Sequence, residues 1–206
     1  SSKYPNPHLF SCIENLYKIQ IKDDINYKIC VIDSDSDNTT HYDNVKKHFP
    51  EVEIHFIKNK NYQYGAYKYA YKLYPTYNYY WCIQDTIIIT KYIDTSIVND
   101  KNIYSCFSFS GFYSHMSIKE LGIKLLKDCN LDYSNIIDTY FNLATFNTFI
   151  ITNNIIKDIF STIKNAPVDK NEESVYERIY GIFFIRKHIN TQDLTPYIHK
   201  IYGGRF

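Results

Sequence analysis

KICVIDSDSDN (28–38), VEIHFI (52–57), NKNYQYGAYKYAYKL (59–73) and YYWCIQDTIII (79–89) are the segments whose reading decides the fold. The first is an apolar run that ends in Asp33, Asp35 and Asp37, and the last is an apolar run that ends in Asp85. Continuous apolar runs of four to eight residues suit strands buried on both faces, and Val52, Ile54 and Phe56 alternate as a strand does. Ala66, Ala70 and Leu73 share one face of a helix expected over 63–74 and closed by Pro75. Carboxylates at the ends of strands put charge at one rim of an α/β sheet, where ligands bind.

Outward from that stretch, Phe10, Ile13, Leu16 and Tyr17 predict a helix over 9–20, and a short helix is expected over 41–49 before Pro50. Downstream, strands are expected at 103–109 and 144–151. Helices are expected from Ser117, with Glu120 completing a capping box, from Asn153 as a cap, and after the polar loop 169–172. Val175, Ile179, Ile182 and Phe183 line one face of that last helix, and the tail around Gly203-Gly204 is expected to be mobile. Alternating helices and strands predict an α/β fold with a mainly parallel central sheet flanked by helices. No repeat or linker divides the chain, so one domain over 1–206 is expected.

Composition narrows the classes. A length of 206 residues allows a sizeable core. A net charge of +1 gives no electrostatic reason for a nucleic-acid or membrane partner. No apolar run reaches the roughly 20 residues of a membrane span, and no signal peptide is visible. Cys12, Cys30, Cys82, Cys106 and Cys129 are scattered without a CxxC pair, so buried thiols in a reducing, cytoplasmic compartment are expected rather than disulfides or zinc. The 22 Tyr and the abundant Ile, Asn and Lys reflect A/T-rich codons. Nothing in the chain speaks to oligomeric state.

Asp33, Asp35 and Asp37 match the start of an EF-hand loop, but Asn38 stands at the sixth position, Asn44 at the twelfth, and a strand precedes them. Two readings remain: a solvated turn, or a nucleotide site at a strand end where Asp33 accepts hydrogen bonds from a base or ribose. Asn61, Tyr64, Gly65 and Lys68 open a helix, which suits either phosphate binding or close packing on a sheet. Asp85 is either a turn residue or a ligand for Mg²⁺ or Mn²⁺ shared with a diphosphate. Glu172 and Glu173 open the last helix, where the dipole favours acids.

In this order, these segments resemble the GT-A glycosyltransferases, inverting and family-2-like. In that family a "VVDNGSTD" segment, an "NxGxxxA" segment and a DxD motif follow one another. The resemblance implies a GT-A, Rossmann-type fold. It matches Asp33, with Asp35 beside it, to the nucleoside-binding position. Asn61, Gly65 and Ala70 match the middle segment, with Tyr64 and Lys68 adding nucleotide contacts, and Gln84 and Asp85 match the end of DxD. Ile83 stands where the first Asp of that motif belongs. Glu172-Glu173 is similar to the family's acidic pair, followed by Arg178, and implies Glu173 as the base, with Glu172 and Glu177 as alternates. His115, His188 and His199 are candidates for a further metal ligand, with His199 preferred. Only Tyr4-Pro5-Asn6 and Ser1–Lys3 hint at the family's first strand, as if the chain were trimmed.

The ending Glu177-Arg178…Gly181-Ile182-Phe183-Phe184 is similar to sugar-transferase domains of large DNA viruses, which implies host cytoplasm. The implied activity is transfer of a hexose from a nucleotide diphospho-sugar, UDP-linked, to a glycan or protein hydroxyl, assisted by Mn²⁺ or Mg²⁺. The donor half would span about 1–100 and the acceptor half about 101–206. The alternatives are a non-catalytic nucleotide-sugar or glycan-binding domain and a nucleotidyltransferase.

Overall fold

A computed structural model of the chain describes residues 8–21, 26–58, 61–112 and 116–201, with six α-helices and eight strands among them. Tyr4-Pro5-Asn6, Ser1–Lys3, His115 and the Gly203-Gly204 tail lie outside the described residues, as does the side chain of Ser117. The chain divides into two compact units. Unit 1 is Ser1–Ala66, Gln84–Asp94 and Pro196–Phe206; unit 2 is Tyr67–Ile83 and Thr95–Thr195.

In unit 1, helix α1 (His8–Asn15) runs into a π-helical turn, Leu16–Ile21. Strand β1 (Cys30–Asp33), helix α2 (His41–His48) and strand β2 (Glu53–Phe56) follow. The apolar run of β1 pairs in parallel with β2, Val31 opposite Ile54 and Asp33 opposite Phe56. A parallel pair needs a crossover, and α2 supplies it. Leu9, Ile13, Tyr42, Val45 and Val52 form the core under that pair. Helix α3 (Tyr62–Leu73) begins in this unit and ends in unit 2. Strand β4 (Ile87–Ile89) pairs antiparallel with β8 (Ile198–Lys200).

Unit 2 holds a four-stranded sheet in the order β3 (Tyr79–Cys82), β6 (Asn142–Thr152), β5 (Asn102–Phe109), β7 (Asn190–Asp193). β6 runs against both neighbours, and only β5 and β7 are parallel. The molecule is therefore mixed α/β, and the mainly parallel sheet expected from the alternation of elements is corrected. Alternation fixes that helices cover strands, but not the direction in which a strand re-enters the sheet.

Helices α4 (Met116–Asp128), α5 (Asn153–Thr162) and α6 (Lys170–Arg186) complete unit 2. Thr152 rather than Asn153 caps α5: its side chain accepts from the Ile155 N–H, while Asn153 Nδ2 donates to the carbonyls of Pro75 and Tyr77. The apolar face read from sequence is buried, with Val175, Ile179, Ile182 and Phe183 fully covered. At Gly181 a Cβ would lie 2.5 Å from the Asn142 carbonyl oxygen, so only glycine lets α6 approach β6 this closely. The five cysteines are free thiols, and no helix of the described residues is long and apolar enough to cross a membrane.

Candidate functional site

In unit 1 the carboxylate of Asp33 sits at the C-terminal end of β1 in a residue only 2% exposed. The chain turns sharply after it, with Asp35 in the left-handed region at φ 79°, a conformation Asp tolerates better than most residues. That turn aims the Ser36 N–H at Asp33 Oδ1, at 2.8 Å. From α2 the Tyr42 hydroxyl donates to Asp33 Oδ2. Burial pushes the Asp33 carboxyl up, but the Tyr42 hydroxyl and the Ser36 donors outweigh it and hold it below the usual value. Burial and the Asp33 carboxylate push Tyr42 well above the ordinary tyrosine value, so it remains the donor. Asp35 and Asp37 are exposed.

His41 and Tyr42 both feel the charge of Asp85 as well as that of Asp33. Asp33 at the end of β1 and Asp85, which lies in the turn before β4 rather than at a strand end, thus act on the same two side chains. Burial lowers the His41 pKa, with Asp33 and Asp85 pulling it back up, and its Nδ1 is buried with no hydrogen-bond partner among the described residues. The imidazole is therefore neutral near pH 7.

The Asp85 turn is anchored on two sides. Cys12 of α1 donates its thiol to the Asp85 carbonyl at 3.1 Å. Burial and the Asp85 charge push that thiol up to about 12, so it is protonated at neutral pH and is no thiolate ligand. From β8, Lys200 Nζ donates to Gln84 Oε1 and Thr86 Oγ1, the residues on either side of Asp85. Register explains this: Lys200 pairs with Ile87, and the Ile201 N–H donates to the Thr86 carbonyl at 2.9 Å. Successive strand side chains alternate faces. His199, opposite Ile88 and exposed, therefore lies on the other face of the ribbon from Lys200. Lys200, and not the preferred His199, is what β8 brings to Asp85.

Among the described residues no group of three His, Cys, Asp or Glu side chains is placed to hold a metal ion. Among the described residues, the Asp85 turn is contacted or flanked by an ammonium, an amide, a hydroxyl and a protonated thiol. An ammonium repels a dication, so this set does not fit a protein-built site for Mn²⁺ or Mg²⁺.

Asn61 is exposed at the start of α3, while Tyr64 is 1% exposed and Gly65 is buried. Tyr64 and Gly65 thus face protein. Lys68, in unit 2, has its pKa lowered by burial and by Lys72 one turn on.

The three candidate bases lie on α6 in unit 2. Asp169 caps the helix, its Oδ1 accepting from the Glu172 N–H at 2.8 Å, and Glu172 Oε2 accepts from the Val168 N–H at 3.0 Å. Glu172 is thus part of a capping arrangement. Glu173 and Glu177, one turn apart, reach a bulge in β6. A step of two along β5 there, from Ser105 to Phe107, matches a step of five along β6, from Phe149 back to Ala144. Phe146 and Asn147 take φ of 60° and 49°. Glu177 Oε1 accepts from the Phe146 N–H at 2.8 Å, and Glu173 Oε1 from Asn147 Nδ2 at 2.9 Å. Glu173 and Asn147 are 6% and 3% exposed. Consecutive non-glycine residues in the left-handed region carry strain, and bulges of this kind often re-aim side chains at sites. Arg178 is buried beside them; its Nε donates to the Gly111 carbonyl at 2.9 Å and its guanidinium lies 5.7 Å from the Phe112 ring centroid. That makes Arg178 a clamp on the Gly111 turn.

Sequence reading missed Tyr42, His41, Lys200 and Asn147. A His-Tyr pair opening the helix after a strand-end Asp is a usable signal for the first two; Lys200 and Asn147 are seen only through pairing register and the bulge. No family model, curated protein or solved structure matches this chain.

Proposed function

We propose that the chain is a GT-A-like glycosyltransferase that takes its sugar from a nucleotide diphospho-sugar, UDP-linked, and delivers it to a hydroxyl acceptor. One observation supports the reading: the Asp33 carboxylate, at the C-terminal end of β1, is held by the Ser36 N–H and the Tyr42 hydroxyl within unit 1. An ionised carboxylate accepts about four hydrogen bonds. Ser36 and Tyr42 use one oxygen each of Asp33, and the remaining lone pairs suit a base N–H or ribose hydroxyl. Asn61 is assigned to the nucleotide and Gln84 to the turn beside the diphosphate. On unit 2, Glu173 is assigned the acceptor's proton, since attack of a hydroxyl on the sugar carbon needs a base.

A second reading, a binding domain without chemistry, has its own support: Glu173 and Glu177 both hold the β6 bulge, a structural task sufficient to explain them. A thermal-shift screen of UDP- and GDP-sugars tests what the two readings share. A ligand at 100 times its Kd stabilises by about 2.7 kcal/mol, a rise of about 5–10 °C for a chain of this size. No rise with any donor rejects both. A rise without UDP release, across an acceptor panel, selects the binding domain.

A further inference from the structure

The family resembled here neutralises the donor diphosphate with a divalent ion held by the DxD carboxylates. Two features of this chain oppose that. Ile83 removes one of the carboxylates. Lys200 places an ammonium on Gln84 and Thr86, the neighbours of the carboxylate that remains.

We propose that Lys200 is the cation that binds the donor diphosphate, so that nucleotide binding needs no divalent metal. This rests on the transferase reading above. The strand register supports it, since the β4–β8 ribbon is closed at both ends: Thr90 N–H, past β4, donates to the Tyr197 carbonyl at 2.8 Å, and Ile201 N–H donates to the Thr86 carbonyl of the turn at 2.9 Å. The backbone at Lys200 is therefore fixed, and its ammonium is held by Gln84 Oε1 and Thr86 Oγ1. Lys200 is half-buried, where an ammonium's attraction for phosphate is less screened than at an open surface. The Cys12 thiol feels both Asp85 and Lys200, which places the two charges in one neighbourhood. A lysine meets phosphate as a point charge with three donors.

Calorimetric titration of UDP, with GDP as a second probe and uridine as control, in EDTA and in Mn²⁺, tests this on the wild-type chain, Lys200→Met and Lys200→Arg. Wild type is expected to bind UDP equally in EDTA and in Mn²⁺. Lys200→Met, which keeps the aliphatic stem, should weaken UDP in EDTA by about 10- to 100-fold. It should leave uridine unchanged, and Lys200→Arg should recover most of the loss. UDP binding that disappears in EDTA overturns the inference on the wild-type protein alone, whatever the variants do, and leaves the transferase reading standing. UDP binding in EDTA that Lys200→Met does not weaken overturns it as well. Failure of UDP and GDP to bind in either condition rejects the transferase reading and the inference with it.

Discussion

Tyr42→Phe removes one hydroxyl and leaves the ring, so it isolates the bond that holds Asp33. Tyr42 is 8% exposed and packs in the core of unit 1 with Leu9, Ile13, Val45 and Val52; Phe keeps that packing. What goes is the donor to Asp33 Oδ2, leaving the Ser36 N–H on the other oxygen. A hydrogen bond to a buried charge contributes about 1.5–3 kcal/mol. A loss near 2 kcal/mol lowers the midpoint by about 4–8 °C. The pH dependence follows from the direction of the Asp33 shift. Its folded pKa is depressed, so its contribution is fully present above the unfolded value of about 3.9 and is lost as pH falls through the folded value. In Tyr42→Phe, burial is opposed by fewer donors and the folded pKa rises. The stability gap between the two proteins should be widest at neutral pH and narrow below about pH 4, toward the worth of a neutral hydrogen bond. Urea unfolding of both proteins at pH 7 and near pH 3.5 measures it. Equal stability at pH 7, or a gap that persists undiminished in acid, refutes the reasoning.

Glu173→Gln keeps an oxygen for Asn147 Nδ2 and deletes the charge; it should leave the midpoint within about 2–4 °C of wild type and UDP binding intact, while transfer falls about 10²- to 10⁴-fold. Wild-type turnover in that variant would remove Glu173 as the base. Gly181→Ala places a Cβ 2.5 Å from the Asn142 carbonyl oxygen, and the overpacking costs about 1–3 kcal/mol against a helix-propensity gain of about 1 kcal/mol; a variant more stable than wild type by calorimetry would contradict the close approach of α6 to β6.

What sequence made legible follows the strength of the apolar signal. β1, β3 and the buried face of α6 are written in apolar residues at the right period, and they lie where the spacing puts them. β7, Asn190–Asp193, is a polar strand at the edge of its sheet and pairs with β5 through backbone, which leaves no hydrophobic mark. The direction of β6 was not legible either, because both faces of a central strand are apolar whichever way it runs. At the site, the strand-end placement of Asp33 was visible, while its hold by Tyr42 depends on how α2 packs. The spacing of Glu173 and Glu177 put them on one helical face. Their partners could not be foreseen, since nothing in Phe146 announces a left-handed backbone, whereas Asn147 is at least of a type enriched there.

On the transferase reading proposed above, Ile83 and Lys200, 117 positions apart by number, make one electrostatic statement. Two carboxylates with a dication leave a diphosphate pocket with no net charge before the ligand arrives. One carboxylate with an ammonium leaves the same sum, because losing a negative charge and exchanging a doubly for a singly charged cation cancel. A site that lost the first carboxylate but kept a dication would carry an uncompensated positive charge beside Asp85. A site that gained the lysine but kept both carboxylates would be an acidic trap hostile to phosphate. Gaining the lysine without losing the carboxylate is the costly change, because a net negative pocket repels a diphosphate. Asp85 fits this account: its turn is fixed by Cys12 through the carbonyl and by Lys200 through its neighbours. That arrangement fixes the Asp85 backbone and holds the side chains on either side of it.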